Sequence, residues 1–108
     1  MAFKIAQKAS YKASVKVFTP NDNNGFDTSE FKAEFKRVGM HELEKLKELT
    51  QVEVIKSVLI GFTDLVDEDN KPVDFNELNL NALMDIPQAL SALSEAFWTS
   101  IFKAKEKN

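Results

Sequence analysis

The stretch Thr50–Phe75, TQVEVIKSVLIGFTDLVDEDNKPVDF, constrains the chain more than any other. Thr50 with Glu53 three residues on has the spacing of a capping box, which marks a helix start. On a helical wheel, Val52, Val54, Ile55, Val58, Leu59, Phe62, Leu65 and Val66 fill one broad arc. Glu53, Lys56, Ser57 and Asp64 lie opposite, with Gln51 and Ile60 as the exceptions. The spacing predicts a core helix through this region, because so wide an apolar arc needs cover from several neighbours. The acidic turn Asp67-Glu68-Asp69-Asn70 follows, and Pro72 stops any continuation.

Two alternating stretches precede it. In residues 11–18, Tyr11, Ala13, Val15 and Val17 face one way, with Lys12, Ser14 and Lys16 on the other. In residues 28–38, Phe31, Ala33 and Phe35 point inward, with Glu30, Lys32, Glu34 and Lys36 outward. Antiparallel pairing of the two sets Lys12 and Lys16 across from Glu30 and Glu34. Between them TPNDNNGFD reads as a flexible loop, too long for a tight turn. A two-stranded ribbon alone is marginal in water, so its apolar face must lie on helices.

Those helices are legible downstream. HELEKLKEL (41–49) carries Leu43, Leu46 and Leu49 at face spacing. A short helix is expected from about Asn76, with Leu80, Leu83 and Met84 inward. Asp85 is then expected to cap a final helix over 86–104, with Pro87 in its first turn. Its main face holds Ile86, Ala89, Leu90, Leu93, Ala96, Phe97, Ile101 and Ala104. Lys103 and the charged residues after it suit a fraying helix C-terminus. The fold class is therefore α+β: an N-terminal antiparallel two-stranded β-hairpin packed on a bundle of about four helices. The reading is a single domain over 1–108, with 1–10 and 105–108 irregular.

Composition restricts function. A net charge of −3 argues against a general nucleic-acid binder, which shows a basic stripe. The absence of cysteine removes disulfides and thiolate metal sites, as in a reducing cytosol. No apolar run has the length of a signal peptide or a membrane span, so neither secretion nor a membrane partner is expected.

Catalysis has little to draw on. The single histidine, His41, stands among Glu42 and Glu44 and reads as a solvated side chain. Glycines at 25, 39 and 61 are too scattered for a phosphate-cradling loop. The acidic run Asp64, Asp67, Glu68, Asp69, Asn70 invites a calcium reading. An EF-hand loop from Asp67 would need an oxygen ligand where Lys71 stands and a glutamate where Leu78 stands, so the run reads as a solvated turn. No catalytic residue, metal ligand or cofactor is assigned. Trp98 and Phe102 are four apart and touch on a helix surface, well off the face of Leu93 and Phe97. Either another element, such as the strand pair, covers them, or they form an aromatic patch for a partner or a sister subunit in a homo-oligomer.

The order of pieces adds a resemblance. MAFKIAQK, two alternating strands, a Leu/Glu/Lys helix, then Gly61-Phe62-x-Asp64 and Asp67-Glu68-x-Asn70-x-Pro72-x-x-Phe75 together resemble the tail assembly chaperone family of tailed phages and prophages. Two positions depart from the family pattern, with Phe62 in place of Trp and Asn70 in place of Gly, both conservative in role. The resemblance implies a non-enzymatic protein of the host bacterial cytosol that keeps the phage tape-measure protein soluble until the tail tube forms around it. It also implies, in some family members, a longer frameshifted form that contacts the tail tube protein. The competing expectations are a minor structural or joining protein of the phage particle and a small bacterial adaptor.

Overall fold

The computed structural model describes residues 1–102. Strands β1 (Ser10–Pro20) and β2 (Phe26–Lys36) form the expected antiparallel hairpin. Lys12 faces Glu34 and Lys16 faces Glu30, the register that alternation predicts. Neither lysine makes an ion pair among the described residues; Ser10 Oγ instead donates to Glu34 Oε2 at 2.6 Å. The hairpin loop is shorter than the sequence suggests, because the strands run on to Pro20 and from Phe26. Asn21 organises the turn: its N donates to Gly25 O at 3.0 Å, and its Oδ1 accepts from Asn23 N at 2.9 Å and Gly25 N at 3.1 Å. Asn24 takes the positive φ of 62° that asparagine tolerates better than most residues.

The sheet has three strands, not two. Helix α1 (Met40–Leu46) leads to α2 (Gln51–Val58), where the expected core helix ends after Val58. The chain continues directly as β3 (Leu59–Thr63), antiparallel to β2. Phe35 faces Leu59 and Glu34 faces Gly61, so Ile60 is an additional residue, a β-bulge. The bulge explains the correction. Leu59 and Phe62 are both buried although three apart, because the extra residue converts the strand's period of two into a helix-like step. Beyond β3, Val66 is exposed and only pairs across to Pro72, so it belongs to no helix face. Leu65 and Val52 are half-buried.

The acidic run is a turn held by its own first residue. Asp67 Oδ1 accepts from Asp69 N at 2.8 Å and Lys71 N at 3.0 Å, and Asn70 adopts a φ of 62°. Helix α3 (Glu77–Met84) begins after Asn76, whose side chain accepts from Asn79 N. It buries Leu83 and Met84 and half-buries Leu80. Helix α4 (Pro87–Phe102) is preceded by Ile86, whose carbonyl accepts from Leu90 N at 3.0 Å. Ile86, not Asp85, therefore occupies the capping place, and it is exposed rather than inward. The expected end of this helix at 104, with Ala104 and the terminal lysines, lies outside the described residues.

The core sits between the inner face of the sheet and α4. Val15, Ala33, Phe35, Ile55, Val58, Leu93 and Phe97 are its most buried members. Phe35 meets Phe97 edge-on at 5.4 Å between ring centroids, and Tyr11 lies against Phe35 at 6.0 Å. Tyr11 Oη also shares a 2.6 Å hydrogen bond with Ser100 Oγ, which ties the base of β1 to the end of α4. Residues 1–9 are irregular and exposed. No helix among the described residues is long and apolar enough to cross a membrane.

Candidate functional site

The aromatic pair at the end of α4 becomes a site through the turn between α1 and α2. After Leu46, Glu48 N and Leu49 N bond back to Lys45 O and Leu46 O at 3.2 and 3.1 Å. Thr50 then starts α2 with a complete capping box: Thr50 Oγ1 accepts from Glu53 N at 3.2 Å, and Glu53 Oε1 accepts from Thr50 N at 3.0 Å. This fixes the angle between two short helices and presents Lys47, Leu49 and Gln51 toward α4. Leu46 and Val54, both buried, line the groove between them.

Trp98 and Phe102 form the opposite wall. Their rings stack nearly parallel, 4° apart in plane with centroids at 6.2 Å. Trp98 also meets Phe97 edge-on at 5.1 Å, which anchors the pair to the core. Both rings are half-buried. The element that lies against them is the α1–α2 turn, not the strand pair. Between the two walls runs an open groove of about 360 Å³. Lys47 Nζ stands 6.0 Å from the Phe102 ring, at the outer reach of a cation–π contact, and 3.8 Å from Glu44. Leu49 stays 42% exposed at the rim.

Such a surface offers apolar contact with a flat aromatic wall and one cation, which suits a side-chain stripe of another polypeptide better than a small polar molecule. The spacing of Trp98 and Phe102 pointed to this wall. The facing wall was missed, because only tertiary placement brings Leu46, Leu49 and Val54 opposite the rings. His41 is exposed on α1. The side chain of Asp67 is occupied in bonding backbone N–H groups within the acidic turn. Among the described residues no cluster of histidine and carboxylate side chains has the arrangement to hold a metal ion.

No family model matches the chain, and no curated protein or solved structure shows significant similarity to it.

Proposed function

We propose that this chain is a non-enzymatic tail assembly chaperone, which binds the phage tape-measure protein in the host bacterial cytosol and keeps it soluble until the tail tube polymerises. The observation that supports this reading is the groove walled by Trp98 and Phe102. A tape-measure chain is long, helical and apolar, and it aggregates unless its stripes are covered. An amphipathic helix laid against stacked rings and leucines is the contact expected for such a partner. Several copies of the chaperone along one partner chain would raise the overall affinity without new contacts. A net charge of −3 keeps the loaded assembly dispersed. A longer frameshifted form would add the contact to the tail tube protein.

Coexpression with the adjacent tape-measure gene tests the reading. The wild-type chain should hold the tape-measure protein in the supernatant and copurify with it. Purified phage particles should lack the chain by mass spectrometry. Replacing both Trp98 and Phe102 by serine should abolish copurification. Because Trp98 touches the core, Leu49→Glu at the exposed rim is the companion variant; it should keep the wild-type melting temperature and still lose the partner. A tape-measure protein that precipitates equally with and without the wild-type chain would end the proposal.

A further inference from the structure

The free edge of β1 and the N-terminal residues fit one another. In the order β1-β2-β3, β1 is an outer strand, with one row of backbone N–H and C=O groups unpaired over Ser10–Pro20. Long open edges of this kind are templates for another strand. Beside this edge, Ser14, Lys16 and Phe18 of β1 and Ala92, Glu95, Ala96 and Thr99 of α4 line a groove of about 310 Å³. The small side chains of Ala92 and Ala96 leave room there for larger ones, with Glu95 between them in sequence.

The same chain carries an apolar segment that its own fold leaves exposed, with Phe3 and Gln7 at the border of an open groove beside Tyr11, Arg37 and Ile101. Met1, Phe3 and Ile5 alternate with Ala2, Lys4 and Ala6, and Phe3 and Ile5 are 83% and 91% exposed. Alternation with large apolar side chains on one side is the pattern of a half-buried strand. The segment leads straight into β1: Ala9 O accepts from Arg37 N at 2.8 Å, so the ladder with β2 already extends to residue 9.

We infer that two copies of this chain exchange residues 1–8, each copy laying that segment antiparallel along the free β1 edge of the other, with the twofold axis at Ala9. In that register Met1 faces Val17, Phe3 faces Val15, Ile5 faces Ala13 and Gln7 faces Tyr11 of the other copy. The apolar side chains of the arm thus continue the buried face of β1 and come to lie beside Ala92 and Ala96. The lysines single out this register. Lys4, Lys8, Lys12 and Lys16 recur every four residues, and about Ala9 they face Ser14, Ser10, Ala6 and Ala2. Sliding the ladder one pleat either way puts lysine against lysine, Lys4 on Lys16 and Lys8 on Lys12 in one direction, Lys4 on Lys12 in the other. Like charges directly opposite are unfavourable. A slip by a single residue turns the apolar set of the arm onto the lysine face.

The backbone agrees. The Ala9 carbonyl points to β2, so the polar groups of its neighbours Lys8 and Ser10 point to the open edge. Those residues then form hydrogen-bonded pairs across the axis, and Ala9 meets its own copy as a non-hydrogen-bonded pair. The contact is isologous and closed, which gives a dimer and not a filament. It is independent of the chaperone reading, since the Trp98 groove lies on a different surface.

Two measurements decide it. The full chain should sediment at twice the chain mass, and a variant lacking residues 1–8 should sediment at the chain mass with an unchanged far-ultraviolet spectrum. The chain has no cysteine, so single introduced thiols report the register. Ala9→Cys should oxidise to a disulfide-linked dimer, because a non-hydrogen-bonded pair brings the Cα atoms to a separation a disulfide accepts. Ser14→Cys should stay a monomer on a denaturing gel. A monomeric full chain, a dimer that survives loss of residues 1–8, or cross-linking at Ser14→Cys in preference to Ala9→Cys would each overturn the inference.

Discussion

The two ends of the β1–β2 hairpin share one alternating pattern and live in different surroundings. At the base, Lys32–Phe35 of β2 have a strand on both sides, and Phe31, Ala33 and Phe35 are buried over α4. At the tip, β2 pairs only with β1, and every residue from Phe26 to Glu30 is exposed. Phe26 and Phe35 are the same residue type in the same strand, at 68% and 0% exposure. What separates them is cover, not propensity: a strand contributes stability where a third strand and a helix close over it. The base is therefore expected to carry the stability of the sheet and the tip very little of it.

The largest test of that difference is Phe35→Ala. The Phe35 ring lies between Tyr11 and Phe97 with no exposure, so its removal leaves a cavity lined by aromatic edges. Urea unfolding should show a loss of about 3–5 kcal/mol, typical of a truncated core phenylalanine. A loss below about 1 kcal/mol would mean that the base is no better packed than the tip.

Leu59→Ala is the next largest. Leu59 is buried where β3 pairs with Phe35, beside the bulge at Ile60, so its truncation removes one of the two anchors of that strand. The expected cost is about 2–4 kcal/mol, within the range of a truncated core leucine. A loss below about 1 kcal/mol would show that β3 contributes little to closing the base. The bulge beside it explains what the sequence conceals. The hairpin, its register, the capping box at Thr50 and the two later helices are all readable, because each follows a simple local period or a short cap motif. The passage from α2 to β3 is not readable from period alone, since a bulged strand with Leu59 and Phe62 three apart imitates the face of a helix. The same limit applies to the groove at Trp98. Its aromatic wall follows from i, i+4 spacing on one helix, whereas its leucine wall arises only when the α1–α2 turn is folded against that helix.

A smaller effect is expected on the helix that covers the base. Ser94 of α4 is 5% exposed, and its Oγ has no hydrogen-bond partner among the described residues. Burying an unpaired hydroxyl is unfavourable, and serine is also the weaker helix former. Ser94→Ala should therefore raise stability by about 1 kcal/mol, read as a higher urea midpoint with an unchanged slope. Destabilisation would reveal that the hydroxyl is satisfied in solution.

The smallest effect belongs to the tip. Phe26 pairs with Pro20 at the last position of the ladder, next to the turn that Asn21 holds with its own hydrogen bonds. Its ring is mostly in water already, so Phe26→Ser removes little buried area. The turn keeps its Asn21 contacts, and the residue continues to supply the same backbone groups. Stability should change by no more than about 0.5 kcal/mol. Amide exchange sharpens the comparison in the same sample: the amides of Phe31 to Phe35 should exchange only on global unfolding, while those near Phe26 open locally at much lower free energy. Equal protection along β2 would mean that the hairpin unfolds as one unit, and that the exposed tip draws its stability from the covered base.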